Sequence, residues 1–142
     1  MKHVVFVAPF AMTTTLRFIR TIAALPGVRV GLITQDPLEK LPEDLRASCA
    51  AHCRVADGLS ADQIEQAVRT ISTTLGGVDC LLGTLEQLQV QIAQVRARLG
   101  LKGLTVDAAE NFRDKARMKT ALRNAGLPCA RHKLIATKDA AW

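Results

Sequence analysis

HVVFVAPFAMTTTLRFIRTIAALPGVRVGLIT, residues 3–34, decides the fold class. Residues 3–8 are a short Val-rich run stopped by Pro9, the pattern of a buried strand. Thr13, Thr14 or Thr15 caps the helix that follows, in which Leu16, Ile19, Ile22 and Ala23 fall on one face. Pro26-Gly27 stops that helix, and VRVGLIT (28–34) is a second buried strand before the Asp36-Pro37 turn. Two apolar strands joined by one helix form a βαβ unit, so the sheet is parallel and covered on both faces.

The alternation continues outward from this unit. Residues 43–52 read as a short helix and Arg54–Ala56 as a short strand. Ser60 and Gln63 make a capping box before a helix whose apolar face is Ile64, Ala67, Val68, Ile71 and Leu75, with Gly76-Gly77 as its left-handed stop. VDCLLG (78–83) is the fourth strand, and a helix from Leu85 to Leu99 ends at Gly100. A long helix is expected over 107–125, capped by Asp107 and closed by Gly126, and ARHKLIA (130–136) is a fifth strand candidate. Two successive helices break the alternation, so a boundary is expected near residues 101–106, between a domain over 1–100 and a segment over 101–142. The final strand has no domain to join within 142 residues, and the chain is expected to be a piece of a longer protein.

Composition narrows the classes. With 142 residues, 49% hydrophobic and 23% charged, the chain is globular and long enough to bury roughly 70% of its unfolded surface. Its longest uncharged apolar stretch falls far short of the roughly 20 residues of a membrane span, so no membrane partner is expected. The start MKHVVFVAPFAM leads into TTTLRFIR, with no small-residue cleavage site, and reads as a strand and not a signal peptide. A cytoplasmic, reducing location follows, with Cys49, Cys53, Cys80 and Cys129 as free thiols. Residues 1–100 carry ten Lys and Arg against nine Asp and Glu, whereas 101–142 carry nine against four. The +6 net charge is thus local, which suits an anion site or a surface helix. Aromatics are 4%, with no Tyr, which counts against nucleic-acid stacking.

Right-handed crossovers bring the strand C-termini to one edge, where ligands bind in such sheets. The first loop there, APFAMTTT, has no glycine, so a dinucleotide pyrophosphate cannot approach its backbone, and no Walker A sequence exists. Thr13, Thr14 and Thr15 offer hydroxyls at a helix start, and Glu86 places a carboxylate just beyond the fourth strand, where it would face an amine or a metal-bound phosphate. The plain readings are helix capping and a favourable charge–dipole contact. Cys49, His52 and Cys53 fall at i, i+3, i+4 on one helix face, but zinc needs a fourth ligand and none is at hand, so no metal site is expected. His3, His52 and His132 read as structural or exposed, and no catalytic triad is legible, so no catalytic residue is named.

The segment G-x-T-V-D-A-A-E-N-F-R-D-K-x-x-M-K-x-x-L-x-x-A-G-L-P-x-A-R, residues 103–131, resembles the linker helix that opens the ATP-grasp fold. It is most similar to ATP-grasp carboxylate–amine ligases of the amino-acid ligase and biotin-carboxylase-like group. The likeness covers about residues 99–135; residues 1–100 agree in architecture alone. The resemblance implies an α/β chain: a small Rossmann-like domain of the kind that precedes an ATP-grasp core, then a linker helix and the first ATP-grasp strand. It implies ATP-dependent ligation through an acylphosphate, with ATP and Mg as cofactors and small carboxylate and amine substrates. Lys115 matches the family's phosphate-contacting Lys, Asp114 would hold that helix end, and Met118 and Leu122 would pack it. The second phosphate Lys, the flexible glycine-rich loop and the magnesium ligands would lie beyond Trp142, so this segment alone is expected to be inactive. The competing reading is a non-catalytic α/β module that binds a ligand or partner. The exposed basic helix and orphan strand are also compatible with a homodimer.

Overall fold

In the computed structural model, residues 1–131, Lys133 and Ile135 are described. The order is β1 (Lys2–Val7), α1 (Thr13–Ala23), β2 (Val28–Thr34), α2 (Glu43–Ser48), β3 (Cys49–Arg54), α3 (Ala61–Leu75), β4 (Cys80–Leu82), α4 (Gln89–Leu99), α5 (Val106–Arg113) and α6 (Lys115–Asn124). Short 3-10 turns at Leu38–Lys40 and Glu86–Leu88 precede α2 and α4. The four strands form one parallel sheet in the order β3-β2-β1-β4.

The alternation of side chains along β1 and β2 builds two cores. Val5, Val7 and Ile33 point to one face, where Ile64, Ile71 and Leu75 of α3 and Ile92 and Val95 of α4 cover them. Phe6, Val30 and Leu32 point to the other, under Leu16 and Ile19 of α1 and Leu45 of α2. Both central strands are buried on both sides, which is why they read as unbroken apolar runs. Gly31 lets α3 lie directly on β2: a Cβ there would sit 2.4 Å from Ile71 Cγ2. The chain builds β1, β2 and β3 in one direction and then crosses the sheet to place β4 on the other side of β1. The strand order therefore reverses between β1 and β4, the usual place for a ligand crevice at the carboxyl edge.

Several boundaries differ from the sequence reading. The helix expected over 43–52 stops at Ser48, and Cys49–Arg54 is the third strand in place of Arg54–Ala56. Pairing with β2 outweighs the helical spacing of CAAHC. A register shift in this pairing then separates the two thiols: Cys49 packs with the α1/α2 core and Cys53 with the α3/α4 core. The shared face imagined for Cys49, His52 and Cys53 does not exist, and no metal-binding cluster is present among the described residues. The cap of α1 is Met12, with no side-chain bond, so no threonine caps it. At α3, Ser60 caps as expected, accepting from the Gln63 N–H, but the Gln63 side chain accepts from Ala56 and Asp57 N–H instead of closing the box. The helix expected from Leu85 begins as the 3-10 turn, and α4 proper starts at Gln89.

The expected helix over 107–125 is two helices. Thr105, not Asp107, caps α5 by accepting the Ala108 N–H. Asp114 then leaves the helical region, at φ −99° and ψ 108°, and caps α6 by accepting from Ala116 and Arg117 N–H. A carboxylate that satisfies two otherwise orphaned donors starts a new helix where the apolar periodicity alone would continue the old one. α5 packs against α4 with Ala109 buried, whereas α6 buries no residue. The strand expected over 130–136, with His132 in it, lies largely outside the described residues. No helix among them is long and apolar enough to cross a membrane.

One carbonyl of β4 is taken up by a side chain of α4. Arg96 of α4 turns its guanidinium onto the Leu81 carbonyl oxygen, with Nε at 2.9 Å. Partial burial disfavours its charge, yet two N–H groups on one carbonyl offset that cost.

Candidate functional site

The carboxyl edge of the sheet is laced together loop by loop. Gln35 N–H donates to the Pro9 carbonyl at 2.9 Å, and Ala11 N–H donates to Asp36 Oδ2 at 3.1 Å, joining the loops after β1 and β2. Lys40 Nζ reaches Asp36 Oδ1 at 3.3 Å. The Ala11 N–H and then the Lys40 ammonium hold the Asp36 carboxyl below its ordinary range. Arg54 Nε donates to the Gln35 carbonyl at 2.9 Å, and the Gln35 amide donates to the Ala56 carbonyl at 3.3 Å, tying in the loop after β3. Gly58 closes the arrangement, since a Cβ there would stand 2.9 Å from the Pro9 ring.

Between these three loops lies a cavity of about 540 Å³ lined by Phe10, Gln35, Asp36, Arg54, Val55 and Ala56. No single one of these is named as a site residue from the sequence, yet Phe10, Gln35, Asp36 and Ala56 lie in the strand-end loops 9–15, 34–36 and 56–60 that the sequence places at the ligand edge. Arg54 and Val55 lie outside those loops, and no motif links the six.

Beneath it, buried Thr34 donates its hydroxyl hydrogen to the Asp36 carbonyl at 2.5 Å. His52 Nε2 lies 2.8 Å from the same hydroxyl oxygen, and with the hydroxyl hydrogen committed, Nε2 is the donor. Desolvation pushes the His52 pKa down, partly opposed by the charge of Glu39.

The residues named from sequence are spread along this edge and beyond it. Thr15 is buried at 1% exposure, which leaves Thr13 and Thr14 to present hydroxyls to solvent at the start of α1. Glu86 opens the turn after β4, and its carboxylate meets Arg113 at 3.2 Å, tethering the end of α5 to the ligand edge. Lys115 is the first residue of α6 and is exposed, with no hydrogen bond or ion pair to its side chain among the described residues. No hydrogen bond or ion pair joins any two of Thr13, Thr14, Glu86 and Lys115.

The basic segment is less open than its composition implies. Arg113 is spent on Glu86, and Arg117 clamps α6 to α5 by bonding Asp107 at 2.8 Å, Glu110, and Asn111 at 3.3 Å. Among its cations, the Lys115 and Lys119 ammonium groups have no acidic partner among the described residues. The backbone N–H groups at the start of α6 are not open either, since Asp114 already occupies two of them. An anion approaching this end would therefore meet the Lys115 side chain before the two N–H groups that Asp114 holds.

No protein-family model matches the chain. It is 35% identical over 76 residues to alanine–anticapsin ligase of Bacillus subtilis (strain 168), covering 54% of this chain and 16% of that protein. The corresponding ligase of Bacillus amyloliquefaciens is 38% identical over 62 residues, 44% of this chain and 13% of that protein. The chain thus spans about a sixth of the length of these curated relatives. Among solved structures, phosphoribosylglycinamide synthetase from Anaerococcus prevotii superposes with a TM-score of 0.69 at 18% identity, over 97% of this chain and 32% of that one. L-amino acid ligase from Bacillus licheniformis gives 0.69 at 20% identity, over 90% and 31%. At such identities the structural likeness speaks for the fold, and the sequence matches carry the relationship. In sequence over half its length and in fold over nearly all of it, the chain is similar to the N-terminal segment of ATP-grasp ligases.

Proposed function

We propose that the chain is the N-terminal part of an ATP-dependent carboxylate–amine ligase that works through an acylphosphate, and that the 142 residues alone do not ligate. The observation that carries this reading is the 35% identity to alanine–anticapsin ligase. The fold shared with an L-amino acid ligase supports it. The α/β sheet would supply one wall of the substrate cleft through Thr13, Thr14 and Glu86, and α5–α6 would lead into the ATP-binding core. Carboxylate and amine substrates are what such a ligase consumes, and the intended location is cytoplasmic.

Bound ATP would supply the phosphoryl group that activates the carboxylate. Lys115 fits one contact to it: a compact cation on a flexible stem, exposed and unspent, held in place by the Asp114 cap beside it. Asp114 positions, Lys115 neutralises phosphate charge, and the Arg117 clamp fixes the direction in which α6 leaves α5. Magnesium finds no comparable fit, because the described residues hold no cluster of His, Cys, Asp or Glu arranged for a metal. Its ligands belong to the remainder of the longer polypeptide on this reading.

In that longer polypeptide, Lys115→Ala is expected to raise the KM for ATP by about tenfold or more, the size of one charge-assisted contact. Steady-state kinetics with ATP varied at fixed carboxylate and amine measure it. An unchanged KM and kcat would remove Lys115 from the nucleotide site.

A further inference from the structure

We propose that the cavity between the loops after β1, β2 and β3 binds a small zwitterion, an α-amino acid, through Arg54 and Asp36. The amino-acid identity of the ligand rests on the ligase reading; the zwitterion chemistry rests on the cavity. Arg54 is pinned by its Nε bond to the Gln35 carbonyl, and its two terminal nitrogens have no hydrogen-bond partner among the described residues. A guanidinium held by one nitrogen with the other two open is the geometry that takes a carboxylate by two parallel bonds.

On the same cavity wall stands Asp36, one-quarter exposed and held as a carboxylate by Ala11 N–H and Lys40. Lys40, exposed and not on the cavity wall, shares Oδ1 and offsets part of this charge, and the carboxylate beside Arg54 favours a ligand that carries an ammonium group beside its carboxylate. Phe10 lines the cavity and is exposed, an apolar face for the ligand's side chain. The volume of about 540 Å³ exceeds what an amino acid fills and lies within the range usual for small-ligand sites. The Gly58–Pro9 contact and the Gln35 bonds hold the three loops together, so binding would not first have to order them.

The test is an amide NMR titration of the 142-residue chain with L-alanine, set beside acetate, ethylamine and inorganic phosphate. The expected result is saturable shifts confined to Phe10, Gln35, Asp36 and Arg54–Ala56 with L-alanine, and binding about tenfold or more weaker for acetate, ethylamine and phosphate. Arg54→Gln and Asp36→Asn are each expected to weaken L-alanine binding by a similar factor. Asp36→Asn keeps an oxygen for Ala11 N–H, and Arg54→Lys, which keeps the charge but not the fork, is expected to fall between wild type and Arg54→Gln. Amides of β1 and α3 report that each variant remains folded. A wild-type titration without saturable shifts at these amides overturns the site, as does phosphate binding as tightly as L-alanine. No nucleotide is present, so a silent titration leaves the Lys115 test untouched, and an inactive longer polypeptide leaves the titration untouched.

Discussion

His52 donates to a threonine hydroxyl that is itself committed to a carbonyl, and this chain of two bonds ties β3 to the turn after β2. Burial disfavours the imidazolium, so its folded pKa lies below the ordinary 6.5. The unfolded chain therefore takes up the proton first as pH falls. Stability is full above pH 6.5 and drops as pH falls from there through the lower folded value. Thermal melts from pH 7.5 down to 5 are expected to show this loss, and His52→Gln to flatten that part of the profile. A variant melting curve with the same pH dependence as wild type would assign the loss to other groups. From sequence His52 reads as a plain structural histidine, and its hydrogen-bond partner was out of reach because Thr34 meets it only through strand pairing. The same holds for Arg54, Asp36 and Phe10. Lys115 could be proposed from sequence because the resemblance is carried by Asp114, Met118 and Leu122, a local pattern on one stretch of chain.

Among the elements, β1, β2 and α3 were legible because each carries its cause in its own residues: Val-rich runs, a five-residue apolar face and a glycine stop. CAAHCR was not, since it has no β-branched residue and takes strand form only from pairing with β2. The break between α5 and α6 was hidden for the opposite reason. Asp114 stands inside a helical periodicity with no glycine or proline to mark the interruption, and Asp107 reads as the cap that Thr105 in fact provides. Removing the cap tests the element. Asp114→Ala is expected to cost α6 about 1 kcal/mol. Amide exchange should speed up at Ala116 and Arg117 while α3 and β1 stay protected, because α6 buries nothing in the core. Slowed exchange there, as in one continuous helix, would contradict the cap.

At the scale of the molecule, the sheet was foreseen as parallel and covered on both faces, and it is. Its strand order follows from the crossover after β3, which no local residue encodes. The Lys2–Asp79 and Arg20–Asp44 pairs are exposed and contribute little to this architecture, whereas the two cores on either side of β1 hold it. The bond from Arg96 to β4 gives the sheet two unlike margins. Both β3 and β4 are edge strands among the described residues, and the difference is that Arg96 already bonds the Leu81 carbonyl of β4. Self-association under mildly destabilising conditions is therefore expected to protect the β3 amides from hydrogen exchange and leave β4 unchanged. Arg96→Met is expected to add protection at β4. Equal protection of both margins in the unaltered chain would count against this role of Arg96. A strand arriving at the β4 margin would thus have to displace a guanidinium, whereas one arriving at the β3 margin would not.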